Sequence, residues 1–443
     1  MLSILNFKEK RLIFLLLIVG SAILANTVVG GLGGLVTLVV MALLIFKKEY
    51  ALALVLTMIT LTFSDNRAIF FSFAKDVKPV MILLLAFGSF FIKSKNQILT
   101  YFIPFFIIAS ICFFRNQAIL LSFQKTLSLL LLIFSVPLII NQLITQSRNQ
   151  IKLIFYIPLL ILLVGLILRF LSPDFTSLGG RYRGLLGNPN GLGMFILVYF
   201  LLFQTVRSVF GNIFSNSEKW ILLSLLVISL ILCGSRTSMI VIILFFAFKY
   251  VFRFNLLVAL FLCGVLFTAA QYVITNIALI ITAIGLEEYL RLDTIEEGSG
   301  RVIAWNFAWE NIKKTPLIGN GFTYTEQVFN KNRLSLSILG HQGNAHNSYL
   351  TIWLDTGFFG VLFYYGAMIV LFIKCFKHYR IAIPLLLCFG FSANMESWLA
   401  ASLNPFTIVF FIILTLLTIP PEEINQHSED EVNESFTAPT LSA

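Results

Sequence analysis

Five ionisable side chains stand out in a chain otherwise written in apolar runs: Arg181, Arg183, Arg236, Arg301 and His346. A guanidinium is a permanent cation whose fork of N–H groups matches phosphate oxygens. An imidazole takes up and releases a proton near neutral pH. Together they suit one reaction type, attack of a hydroxyl on a carbon that carries a diphosphate. Diphosphate leaves readily, so the site must neutralise the negative charge that builds on it rather than protonate it. One base can then remove the acceptor's proton. Bland alternatives exist for each residue, since arginines also anchor at lipid headgroups.

Local sequence gives each of them a setting. Arg181 and Arg183 lie in SPDFTSLGGRYRGLLGNPN, after Gly179-Gly180 and before a span that Asn190 is placed to cap. Two arginines beside a helix N-terminus make an anion site. Arg236 sits in GSRTS, where two spans meet with almost no loop, and an ionisable residue there is a functional candidate. Arg301 opens GSGRVIAWNFAWENIKKTPLIGNGF, whose spacing predicts a helix with Ser299 as cap and Pro316 as stop. Arg301, Trp305, Ala308, Trp309 and Ile312 fall on one face of it. His346 begins a further span in AHNSYLTIWLDTGFFG and is the candidate general base. His341, Asn347 and Asp355 are candidates for supporting roles, Asp355 lying two turns below Ser348.

These residues need a scaffold, and composition says which. Hydrophobic residues make up 58% of the 443 and charged residues 12%, where a soluble domain carries about 25% charged. Apolar runs at 12–29, 32–46, 50–64, 77–92, 98–114, 124–142, 153–171, 190–206, 219–234, 238–252, 256–275, 346–373, 381–395 and 405–419 read as spans. Several are short, so the expectation is an all-α polytopic membrane protein with about 12–14 transmembrane helices. Residues 1–419 form one membrane domain, its basic start a retained signal-anchor. The tail 420–443 is acidic, polar and expected to be disordered. Basic residues recur in alternate loops, which places those loops and both termini in the cytoplasm. The net charge of +10 is thereby explained without nucleic acid. The same counting puts all five ionisable residues outside, together with a long loop, 276–345, of a length that usually signals function.

No metal-ligand spacing, nucleotide-binding loop or paired-acid pattern appears, so neither metal nor cofactor is expected. The five cysteines show no ligand pattern, and Cys112 and Cys233 near outer span ends leave a disulfide open. The blocks RYRGLLGNPNGLG, CGSRTS, GSGRVIAWNFAWENIKKTPLIGNGF and AHNSYLTIWLDTGFFG, in that order over about residues 179–360, resemble the O-antigen ligase and Wzy-type polymerase superfamily. Asp355 stands where that family usually has Glu. The resemblance implies a metal-independent, inverting glycosyltransferase of the C-type membrane class, in the bacterial cytoplasmic (inner) membrane with its site facing the periplasm. Its partners would be an undecaprenyl diphosphate-linked glycan donor and a glycan or lipid A–core acceptor, among membrane lipids. By the same resemblance His346 activates the acceptor, while Arg181, Arg236 and either Arg301 or Arg183 hold the diphosphate. Ligase and polymerase share these motifs. A flippase or other transporter of lipid-linked oligosaccharide is the alternative of a different class, disfavoured by the gathering of charge at one face.

Overall fold

The computed structural model describes residues 7–66, 68–252, 301–341, 343–399, 401 and 403–424, with a few single positions between 258 and 283. Most of the span expected at 256–275, the first part of the loop expected at 276–345 (Ser299 included) and the tail beyond residue 424 lie outside the described residues. The chain runs through α1 (Phe7–Val28), α2 (Leu32–Phe46), α3 (Tyr50–Phe63), α4 (Ser72–Ser89), α5 (Ile98–Phe113), α6 (Ile119–Gln146) and α7 (Lys152–Leu171). A one-turn α8 (Pro173–Thr176) leads into a small hairpin of β1 (Ser177–Leu178) and β2 (Arg181–Tyr182), in which Leu178 pairs with Arg181. Then come α9 (Pro189–Phe210), α10 (Asn216–Cys233), α11 (Arg236–Val251), α12 (Arg301–Ile312), α13 (Tyr324–Lys331), α14 (Arg333–Ile338), α15 (Ser348–Phe376), α16 (Ala382–Met395) and α17 (Pro405–Thr418).

Each span expected outside 256–275 coincides with a helix to within a few residues. Helix is forced here because hydrocarbon offers no partner for a backbone N–H or C=O. Among the described residues, five helices, including α6, α9, α10 and α15, are long and apolar enough to cross a bilayer by length and composition, and shorter apolar helices such as α3, α5 and α17 pack among them. The chain is an all-α polytopic membrane protein. Its centre is built from α3, α9 and α17, buried over almost their whole lengths, with α17 packed on α3, α6 and α9. Outward-facing residues such as Leu43, Phe87, Ile107 and Ile243 are apolar, as a lipid-facing surface requires. Cys112 and Cys233 are both buried and free, so no disulfide joins them.

The span expected at 346–373 is not one continuous helix. Gly357 interrupts α15 with φ 75° and ψ −177°, a region that only glycine enters without strain. The backbone groups freed by the break are taken up by the segment that follows α12. Phe358 N donates to Pro316 O at 2.9 Å, Gly321 N donates to Asp355 O at 2.7 Å, and Trp353 Nε1 donates to Pro316 O at 2.8 Å. The approach is so close that a Cβ on Gly357 would lie 2.4 Å from Leu317 O, and one on Gly319 would lie 2.5 Å from Asp355 O. The loop between α5 and α6 fixes the outer edge of this strap, through Arg115 Nη1 on Ile318 O and Asn116 Nδ2 on Gly321 O and Phe322 O. Two of the sequence blocks thus meet as one joint.

This joint predicts that Gly357→Ala destabilises the protein by about 1–3 kcal/mol from the backbone alone, with the overlap on Leu317 adding to it. A thermal melt of the detergent-solubilised protein should show a clear fall in midpoint. Gly366→Ala, where a Cβ meets nothing within 4 Å, should leave the midpoint unmoved.

Candidate functional site

His346 immediately precedes Asn347, the N-cap of α15, whose side chain accepts from Leu350 N at 3.1 Å. Its own backbone is left-handed, with φ 44°, an uncommon place for a side chain with a Cβ and one that clusters at functional sites. The ring is held by a residue absent from the sequence-level candidates. Glu396, just past the end of α16, accepts from or faces His346 Nδ1 at 3.1 Å through Oε2, and binds Arg301 Nη2 at 2.9 Å through Oε1. Arg301 and His346 therefore meet across one carboxylate. With Nδ1–H given to that carboxylate, the neutral ring carries its lone pair on Nε2. Nε2 borders Gly343, where a Cβ would come within 3.0 Å of it. The imidazole is 31% exposed and the carboxylate 15%, so the ring is accessible while its partner stays sheltered.

The turn that carries Glu396 is tied to the start of α15. Ser348 Oγ donates to Glu396 O at 2.7 Å and accepts from Trp398 N and Leu399 N. Asn347 N donates to Ser397 Oγ at 2.8 Å, and Asn347 Nδ2 donates to Asn394 Oδ1 at 2.9 Å. His341 is buried with its ring centroid 6.0 Å from that of His346 and 5.9 Å from Phe329. Asp355 is buried, accepting from Thr325 N at 2.8 Å and Thr325 Oγ1 at 2.7 Å. It fastens the start of α13 to the Gly357 joint. Helix α12 forms as expected, but its buried stripe is Ala304, Ala308, Asn311 and Ile312. Trp309 is 45% exposed and turned edge-on to Trp353.

Two of the other arginines, Arg181 and Arg236, meet at a second place. Arg181 donates through Nε and Nη2 to Cys233 O and through Nη2 to Gly234 O, the carbonyls at the C-terminal end of α10. It also reaches Asn190 Oδ1 at 3.2 Å. Asn190 therefore does not cap α9: that part belongs to Asn188, which accepts from Gly191 N at 2.7 Å ahead of Pro189. Arg236 is the first residue of α11, so Arg181 and Arg236 share the α10–α11 junction. Arg183 faces elsewhere, donating to Phe175 O and Gly187 O. Tyr182 between them is buried, which pushes its phenol up against the opposing pull of Arg169. Helix α11 packs beside α16, and Cys388 Sγ meets Val241 O at 3.7 Å. The turn after α3 links the two groups: Asp65 Oδ2 accepts from Gly187 N at 3.0 Å, and Ser64 Oγ accepts from Lys78 Nζ at 3.5 Å, where Lys78 lines one cavity with Ser348 and Ser397. The arginine junction and the His346–Glu396–Arg301 group thus lie at the same end of the bundle.

A cavity of about 300 Å³ adjoins this end. Its lining includes Ser348, Thr351 and Asp355 of α15, Ser397 and Asn344, and two cations from the N-terminal half, Lys78 and Lys125. Neither lysine was singled out in the sequence, because each is one charge at the edge of an apolar run. Glu396 gave only a faint signal, a single carboxylate closing a span in an outer loop without Lys or Arg.

Fold and site together define a helical membrane protein with a histidine–carboxylate–arginine group and an arginine-lined junction at one end of its bundle. Residues 221–365 match the family model described as O-Antigen ligase, in agreement with the O-antigen ligase and Wzy superfamily that the four sequence blocks resemble. The matched region holds Arg236, Arg301, His341 and His346. The match supports O-antigen ligase or polymerase-type function in general, glycosyltransferase-like and in a bacterial membrane. No curated protein matches the chain.

The three bonds of the buried Ser348 hydroxyl predict that Ser348→Ala costs about 1–3 kcal/mol by orphaning buried backbone N–H groups. The thermal midpoint should fall by several degrees. An unchanged midpoint would mean that this hydroxyl does not hold the Glu396 turn.

Proposed function

We propose that the protein transfers glycan from undecaprenyl diphosphate to an acceptor hydroxyl at the periplasmic face of the inner membrane, with both termini in the cytoplasm. The observation that carries this reading is the His346–Glu396–Arg301 group, at the same end of the bundle as the junction of Arg181 and Arg236. His346 Nε2 takes the proton of the acceptor hydroxyl as its oxygen attacks the anomeric carbon. The bond from that carbon to the diphosphate oxygen breaks, and the electron pair leaves with undecaprenyl diphosphate. One displacement inverts the anomeric centre. Glu396 holds the ring and stabilises the imidazolium that forms, much as a carboxylate does for other histidine bases.

Charge on the leaving group falls to the arginine junction. Arg236 opens α11, where the helix dipole adds to its own charge. Arg181 is already committed to Asn190 and to two carbonyls of α10, so its part is to bring positive charge and to hold the junction closed. Arg301 acts through Glu396 and is a positioning residue. Arg183 braces the loop before α9. No step calls on a metal. The acceptor is either a finished lipid A–core, which makes the protein a ligase, or the next lipid-linked repeat, which makes it a polymerase. The family match suits both, and the ligase reading is the one we put first. A deletion strain that accumulates full-length unattached chains supports it, and single repeats on core support the polymerase.

His346→Ala should lower kcat by about 10²–10⁴-fold, the usual worth of a general base, while undecaprenyl diphosphate still binds. Glu396→Gln, which keeps the shape and removes the charge, should lower kcat with little change in donor KM. Unaltered turnover of His346→Ala in a reconstituted transfer assay would remove it as the base.

A further inference from the structure

The reaction has two substrates, and the groups described so far serve the donor and the proton. The cavity lined by Lys78, Lys125 and Asp355 has no part in that scheme, yet it abuts the same turn. Ser348 and Ser397 line it, and these two hydroxyls bind the backbone of Glu396 and Asn347. Asn344, also on its wall, is two residues from His346. A volume of about 300 Å³ is at the small end of ligand pockets, room for roughly one or two sugar rings.

Its chemistry is mixed. Lys125 is paired with Glu326 at 2.5 Å. Lys78 is half-buried and makes one long hydrogen bond, 3.5 Å to Ser64 Oγ. None of the ion pairs among the described residues involves Lys78. Asp65 and Glu326 face it as opposing charges and Lys75 and Lys125 as like charges, so with Lys78 itself this corner holds three cations against two carboxylates, and at the edge of a membrane span the excess charge points to a functional partner. The partner is an anion, but not a diphosphate. Asp355 and Glu326 on the same walls would repel several clustered negative charges. Those carboxylates are well suited to accept bonds from sugar hydroxyls, as Thr323, Asn344 and Asn404 are suited to share them.

We infer that this cavity is the acceptor subsite and that it takes a sugar bearing one anionic substituent, a carboxylate or a phosphate, held by Lys78. This rests on the glycan-transfer reading for its role but not for its test. The test is binding to the full-length protein in nanodiscs, with methyl glucuronide, glucose 6-phosphate and methyl glucoside as probes. Both acidic sugars, or one of them, should bind about tenfold more tightly than the neutral one, the worth of a hydrogen bond to a charged group. The stronger of the two identifies the substituent. Lys78→Gln should erase the preference, Lys78→Arg should keep most of it, and neither should alter undecaprenyl diphosphate binding. Equal affinity of the wild type for acidic and neutral sugars would overturn the inference, and that comparison needs no variant to fold. So would a Lys78→Gln protein that loses undecaprenyl diphosphate as strongly as it loses glucuronide, which would make Lys78 part of the donor site. Acidic-sugar binding without any transfer would leave the subsite standing and defeat the catalytic reading instead.

Discussion

The structure turns on how a broken helix satisfies its backbone. At Gly357 the α15 ladder stops and restarts, and inside a bundle each freed N–H and C=O must find a partner within the protein. The Pro316–Gly321 segment supplies those partners. Because it does so through Gly319 and Gly357 at van der Waals limits, the strap has one register. That register fixes where α12 ends and where α13 begins, with Thr325 locked on Asp355. It also sets the N-terminal part of α15 as a short, separately supported helix, whose start presents Asn347 and His346.

From that end the site follows by short links. Ser348 and Asn347 hold the turn after α16, and the turn delivers Glu396 to His346 and Arg301. The carboxylate uses both oxygens, one on a ring that must change charge and one on a guanidinium that cannot. Arg301 thus keeps Glu396 aimed at the ring. The arginine junction is built by the same logic from the other side. Arg181 spends its fork on the carbonyls that end α10, groups a helix terminus leaves unpaired. In doing so it brings the hairpin, α9 and Arg236 to one place.

Much of this was legible in the chain, and the part that was not has a common cause. Spans could be read because hydropathy is a local property, and α12 because its cap-to-stop pattern is local. Asn190 was the wrong cap for a local reason too: Pro189 suits the first helical turn, and the residue before such a proline is the natural cap. Glu396 gave only a faint signal because its partners lie 50 and 95 residues away. The break at Gly357 was hidden likewise, since its cause is Gly319 and its neighbours on a distant segment. Lys78 and Lys125, each a single charge at the edge of an apolar run, come to one cavity only through the packing of α4 on α6. The sequence blocks were identified as a set, but two of them prove to be architectural as much as chemical: PLIGNGF and DTGFFG are halves of one joint.

The central claim is that a glycosidic bond is made here, with undecaprenyl diphosphate as the leaving group. The direct measurement is a reconstituted reaction with an undecaprenyl diphosphate-linked glycan and an acceptor, following both released undecaprenyl diphosphate and the anomeric configuration of the product. The account predicts equal amounts of released lipid carrier and new glycosidic bond, with the anomeric centre inverted. Glycan that crosses the bilayer with its diphosphate linkage intact, or product of retained configuration, would contradict it.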